Sequence, residues 1–345
     1  MPTAPVDNNG TVLFYTDSGP IEGSDNYTTL VIYHDTFHKL LPLGAKDNIR
    51  LVIVNRRDYA GSTPYTDGNL ADLNAGKAVF MERLAAEVAH LLVWFSETHD
   101  IPKISADGKK GGFAVMGWSS GLATPLSIFA YPEVVGKVAY AKLEPYYRRL
   151  IIYGAADAPF LPFGYDQPPE GYNPFTDPDL PTPEAIFNNF SIWVSGYYVH
   201  PDLASRSVHG LDFSKRGARA SIENMTTEEM SKNSYQFDGH AAARSEGPMF
   251  FQMQPALKIM AQRALFNEKL AAEVLPNVTV DHVWCKNAQW YCAYGMIETE
   301  RQHNEHTKHG RKIRPIRFIE AAGNHFVHWD DPAEFWAATV QSINH

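Results

Sequence analysis

Short apolar runs recur along the chain, each closed by turn residues. Thr11 to Tyr15 is β-prone and stops at Asp17-Ser18-Gly19-Pro20. Thr29 to Tyr33 is more apolar and stops at His34-Asp35-Thr36-Phe37. Arg50 to Asn55 (RLVIVN) follows, then the turn-rich loop Arg56 to Pro64. Phe113 to Met116, Leu150 to Tyr153, Val278 to Trp284 and Pro315 to Ile319 are further runs of this kind. Unbroken apolar runs of this length read as strands buried on both faces. Between them the period changes. Val79, Leu84, Val88, Leu91, Leu92 and Phe95 fall near helical spacing and predict a long helix over Ala75 to Thr98. Leu122 to Tyr131 and Pro332 to Ile343 also read as helices. Buried strands alternating with helices predict an α/β fold: a mostly parallel sheet with helices on both faces.

The pattern breaks from Phe160 to about Leu265. This stretch is rich in Pro and aromatics, with short helical pieces such as Thr182–Val194 and Thr226–Lys232. It reads as an insertion over the carboxyl edge of the sheet. The expected organisation is a core of residues 1–159 and 271–345, interrupted by a lid or cap over 160–270.

One junction carries chemistry. Phe113 to Met116 runs into Gly117-Trp118-Ser119-Ser120-Gly121, and the next residues are helical. Strand, G-x-S-x-G turn and helix together describe a nucleophile elbow with Ser119 at its apex. Side chains at the two glycine positions would collide with the neighbouring strand and helix. The backbone N–H of Ser120 opens the helix and is free to stabilise an oxyanion. The bare motif is a weak signal, since a Ser-Gly loop can open any helix. The flanking strand and helix give it weight.

A serine nucleophile needs a base within hydrogen-bond reach. Fourteen histidines compete. His325, in Gly323-Asn324-His325-Phe326-Val327-His328, follows the last strand and precedes the last helix, so its loop shares the sheet edge with the elbow. His328 is the competitor, with a plain structural reading as the start of the closing helix.

Composition narrows the class. The chain has 345 residues, 44% of them hydrophobic, enough for one large domain with an insertion. The formal net charge of -9, with no basic block, argues against nucleic acid as a partner. The two cysteines, Cys285 and Cys292, form neither a disulfide framework nor a zinc motif. The first ten residues lack the basic and apolar regions of a signal peptide. No apolar run reaches the ~18 residues of a membrane span. A soluble, cytoplasmic protein without metal, cofactor or membrane partner is expected; the oligomeric state is not set by the sequence.

These pieces together resemble the α/β-hydrolase fold superfamily, including uncharacterised fungal members. The resemblance rests on GWSSG (117–121), HDTF (34–37), RDYAGS (57–62) and GNHFVHWDDP (323–332), in family order. In that family the catalytic histidine is commonly followed by a carboxylate five positions on and a proline seven on, as His325, Asp330 and Pro332 are here. The resemblance implies Ser119 as nucleophile and His325 as general base. It implies an oxyanion hole from the backbone N–H groups of Ser120 and Thr36. Trp118 and Phe37, beside these donors, are expected to contact substrate.

Two departures stand out. The family has His-Gly after the early strand where this chain has His34-Asp35. Asp tolerates unusual backbone angles, and Asp35 is expected to point away from the oxyanion. The turn after the penultimate strand, Trp284 to Gln289, holds no carboxylate. Some members carry the acid one strand earlier, where this chain has Asp157. Asp157 is taken as the acid, with Asn287 as the fallback and Asp281, Glu298 and Glu300 ranked lower. The implied reaction is acyl transfer to water from a small-molecule ester or lactone. The aromatic insertion, with Phe160, Phe163, Tyr165, Tyr172, Phe175, Phe187, Phe190, Trp193, Tyr197 and Tyr198, predicts a bulky hydrophobic or aromatic substrate. Carbon–carbon or cyanohydrin cleavage on the same triad, and ligand binding by a slow triad, stay open as alternatives.

Overall fold

The computed structural model describes residues 2–154, 160–232 and 242–345. Eight strands form one sheet: β1 (Thr3–Pro5), β2 (Val12–Asp17), β3 (Thr28–Ile32), β4 (Ile49–Val54), β5 (Phe113–Trp118), β6 (Tyr147–Gly154), β7 (Thr279–Cys285) and β8 (Ile316–Ala321). Their order is β1-β2-β4-β3-β5-β6-β7-β8. The pairs β1–β2 and β2–β4 are antiparallel, and every later pair is parallel. Every residue of β3, β4 and β5 is buried, so both faces of the sheet are covered there.

The expected strands fall within a few residues of these. The short edge strand β1 has no pattern of its own and is held by pairing to β2. The long helix Val79–Thr98 turns Leu84, Val88, Leu91, Leu92 and Phe95 inward, as its spacing predicts. Helix Pro332–Asn344 closes the chain, with Asp331 accepting from the Glu334 amide at its start (3.1 Å). A 19-residue helix, Trp290–Lys308, was not legible in the pattern. Only its first half is buried; the second half is charged on all sides and lacks a helical stripe.

Between β6 and β7 the described residues add no strand to the sheet and fold into short helices. Helix Pro183–Val194 has Thr182 as its N-cap, accepting from the Ala185 amide (3.1 Å). Tyr165 and Phe160 pack onto the Trp290–Lys308 helix: the Tyr165 hydroxyl lies 3.0 Å from Thr299 Oγ1, and the Phe160 ring stacks on Trp290. The return to the sheet is fixed by Arg314, which is buried and donates to the carbonyls of Ala264, Leu270, Val274, Leu275 and Val278. Among the described residues, no helix is long and apolar enough to cross a membrane.

Candidate active site

Because β3 to β8 run parallel, their carboxyl ends open on one edge of the sheet. That edge gathers the segments after β3 (His34 to Phe37), β4 (Arg56 to Tyr59), β5 (Ser119 to Gly121) and β8 (Asn324 to His328). Ser119 follows the last residue of β5 directly and adopts φ +56°. A left-handed serine is rare and strained, and here the surroundings force it. A Cβ on Gly117 would lie 2.6 Å from Leu122 Cα in the following helix. A Cβ on Gly121 would lie 2.5 Å from the Tyr33 carbonyl at the end of β3. Strand and helix therefore approach so closely that only glycine fits on either side of the serine. Ser120 occupies the first turn of Ser119–Leu122, where an N–H has no partner within the helix.

Ser119 lies at the floor of a cavity of about 120 Å³. Its floor also includes His34, Tyr59, Trp118, Ser120 and Phe326. Its walls are Phe175, Phe187, Phe190, Val194, Ile222, Phe250 and Phe251, all from the segment between β6 and β7.

His325 is fully buried beside the elbow. Its ring stacks on the Trp118 indole (centroids 4.2 Å apart, planes 9° apart), and its carbonyl accepts from Trp118 Nε1 (3.3 Å). The preceding residue anchors the loop. Asn324 Nδ2 donates to the Ser195 carbonyl (2.6 Å) and to Ser221 Oγ (2.8 Å), while its Oδ1 accepts from the Phe326 amide (3.0 Å). Asp330 adds a second tie, accepting from the Tyr197 hydroxyl (2.8 Å) and Ser221 Oγ (2.5 Å). Among the described residues neither ring nitrogen of His325 has a hydrogen-bond partner. Burial first, then the nearness of His328 and His34, holds its pKa well below the usual imidazole value. The ring is thus neutral at pH 7, the form that can accept a proton.

His328 takes a different role. Its Nε2 lies 3.2 Å from Thr36 Oγ1, and its ring packs on Phe37 and against the Trp118 edge. Three histidines, His34, His325 and His328, thereby surround one indole.

The remaining expected residues divide. Trp118 lines the cavity; Phe37 does not. Phe37 is wholly buried behind Trp118, packed on His328 and Phe335, so the expectation that it contacts substrate is corrected. The Thr36 amide is aimed at His34 Nδ1 (3.4 Å). Asp157, three residues past β6, lies outside the described residues, as does the side chain of Asp35. Asn287 commits its Nδ2 to the Tyr198 carbonyl (3.0 Å). Asp281 sits mid-strand in β7, paired with Arg149 and Arg317. Glu298 and Glu300 pair with Arg301 and Arg206.

Of the aromatic residues between β6 and β7 named from the sequence, Phe175, Phe187 and Phe190 reach the cavity, while Trp193 and Tyr198 are buried in the packing around it. The sequence reading missed Phe250, Phe251 and above all Glu246. Glu246 lines the cavity beside Ser120, where its Oε1 accepts from the Arg56 guanidinium, the Tyr59 hydroxyl (2.5 Å) and Ser120 Oγ (3.2 Å).

Comparison with solved structures places the fold. An esterase from Exiguobacterium antarcticum superposes with a TM-score of 0.53 at 16% identity, over 100% of both chains. A bromoperoxidase from Bacillus anthracis gives a TM-score of 0.52 at 14% identity, over 100% of this chain and 99% of that one. The chain has the α/β-hydrolase fold. No protein-family model and no curated protein sequence matches it. At these identities the likeness speaks for the fold, and function has to be argued from the site.

Proposed function

We propose that the protein is a serine hydrolase cleaving carboxylic esters or lactones through an acyl-enzyme. One observation carries the reading: Ser119 is held left-handed at the floor of an apolar cavity, with the neutral, otherwise unpartnered His325 packed on the adjoining Trp118. A buried neutral imidazole with no hydrogen-bond partner for either nitrogen among the described residues is free to accept a proton. His325 takes the Ser119 proton as the hydroxyl attacks the carbonyl. It then returns a proton to the leaving alkoxide and later activates water. Asp157 is the proposed orienting acid. The Ser120 amide is one oxyanion donor. The Thr36 amide is the second once it leaves His34 Nδ1, to which only a long 3.4 Å contact holds it.

The size of the cavity favours a smaller substrate in this reading. About 120 Å³ is below the roughly 300–1,000 Å³ of pockets that take drug-sized ligands. A cavity of this size suits a short acyl group better than a bulky aromatic one. The segment between β6 and β7 acts in this reading as a cap whose phenylalanines measure acyl length.

The test is hydrolysis of p-nitrophenyl esters from acetate to octanoate, and of simple lactones. Wild type is compared with Ser119→Ala, His325→Gln and Asp157→Asn, and a fluorophosphonate is used to label the nucleophile. Turnover greatest on short acyl chains, lost in the Ser119 and His325 variants, with the label on Ser119, is expected. Turnover that survives Ser119→Ala, or no turnover and no label on Ser119, overturns the reading and leaves lyase chemistry or ligand binding. Normal rates in Asp157→Asn would move the acid role elsewhere.

A further inference from the structure

Three donors reach Glu246, and all three reach the same oxygen. Arg56, Tyr59 and Ser120 converge on Oε1, and among the described residues no donor reaches Oε2. The side chain lines the cavity and keeps 18% of its surface exposed, so it is only partly covered by the packing. Burial raises its pKa, but Arg56, then His34, Tyr59 and Ser120, outweigh this and hold it below the usual glutamate value. The carboxylate is therefore ionised, and carboxylates accept hydrogen bonds strongly where water is scarce.

Position decides what the oxygen can serve. Ser120 is the neighbour of Ser119, so an acceptor fixed to its hydroxyl lies beside the reacting carbonyl. Apart from Ser191 and Gly247, the rest of the walls is phenylalanine, valine and isoleucine, and Glu246 is the one carboxylate among the described lining residues. Charge decides which donor fits. Arg56 already neutralises Glu246 by direct contact, so the pair carries no net charge to draw a cation. A neutral hydroxyl gains the charge-assisted bond without that requirement.

We propose that Glu246 is a specificity-determining residue that selects esters bearing a hydroxyl group on the short acyl chain. The inference rests on the hydrolase reading for its substrate class. Oε1 stays with Arg56, Tyr59 and Ser120, and Oε2 accepts the substrate hydroxyl. Acyl chains carrying a carboxylate instead are disfavoured, because a carboxylate has no proton to donate to Oε2.

The experiment compares p-nitrophenyl butanoate with p-nitrophenyl 3-hydroxybutanoate, and methyl butanoate with methyl 3-hydroxybutanoate. Wild type should favour the hydroxylated p-nitrophenyl ester in kcat/KM by about tenfold or more, the size of a hydrogen bond to a charged acceptor. Glu246→Gln keeps an oxygen for Arg56 but loses the charge, and should cut that ratio severalfold; Glu246→Leu should abolish it. Binding to Ser119→Ala, followed by saturation-transfer NMR with the methyl esters, reads the preference without turnover. Equal kcat/KM for the two p-nitrophenyl esters, with equal binding of the two methyl esters, overturns the role of Glu246 and leaves the hydrolase reading intact. Preferential binding of the hydroxylated ester without hydrolysis of either overturns the hydrolase reading and keeps the hydroxyl site.

Discussion

His282 lies in the middle of β7, fully buried, and neither ring nitrogen has a hydrogen-bond partner among the described residues. Its neighbours include the rings of Phe163 (5.8 Å) and Phe318 (5.7 Å). Burial alone pushes its pKa from 6.5 down to about 3. The folded state thus refuses a proton that the unfolded chain accepts, so stability is whole above pH 6.5 and declines as the pH falls from there toward 3. Each pH unit in that window costs about 1.4 kcal/mol once protonation of the unfolded chain is complete. At pH 5 the loss is about 2 kcal/mol, and near pH 3 it reaches about 4 to 5 kcal/mol. Replacing His282 by Leu keeps a similar volume and removes the titration. Urea unfolding of both proteins at pH 7.5 and pH 5 isolates the effect, because the other titrating groups are common to both. His282→Leu should gain about 2 kcal/mol on wild type between the two conditions. Parallel stability curves would refute the claim that this imidazole is kept neutral by burial.

Gly121→Ala puts a methyl group 2.5 Å from the Tyr33 carbonyl, so the elbow must move. We expect a loss of about 1–3 kcal/mol in urea unfolding, together with a fall in esterase rate larger than lost folding explains. Arg314→Met leaves five carbonyl acceptors without their guanidinium and should cost at least about 3 kcal/mol by the same assay. Phe190→Ala enlarges the cavity on the wall side and should shift the best p-nitrophenyl ester to a longer acyl chain. Because His325 must be neutral to act and its pKa is held low, the acid limb of kcat/KM should lie below pH 6.5. A limb above that value would contradict the buried, neutral ring.

The sequence carried the sheet because each parallel strand is a run of buried residues whose pattern is local. It carried the elbow because G-x-S-x-G is itself a local pattern; the limit at Gly117 is set by nearby Leu122, whereas that at Gly121 is set by the distant Tyr33 carbonyl after β3. Other features depend on distant partners. Glu246 lies 190 positions from Arg56, and nothing around Arg244-Ser245-Glu246-Gly247 shows that its carboxylate reaches the cavity floor. A lone acid just ahead of the apolar run Met249-Phe250-Phe251 was the one available hint. Phe37 looked exposed to substrate by its place after β3, yet the ring turns away because Trp118, His328 and Phe335 fill the space behind it. The half-charged helix Trp290–Lys308 escaped because tertiary contact, not an amphipathic stripe, buries its first turns.

In the proposed hydrolase, the parts that react and the parts that enclose come from different stretches of the gene product. Ser119, His325 and their neighbours sit on segments following strands spread from β3 to β8, whereas every wall residue lies between positions 175 and 251. Selection can therefore retune the walls in one contiguous stretch without disturbing the nucleophile. Arg56 marks the limit of that freedom. An exchanged segment that arrives without the carboxylate of Glu246 strands a buried guanidinium next to Ser120, so the heritable unit of substrate choice is the segment together with one arginine outside it.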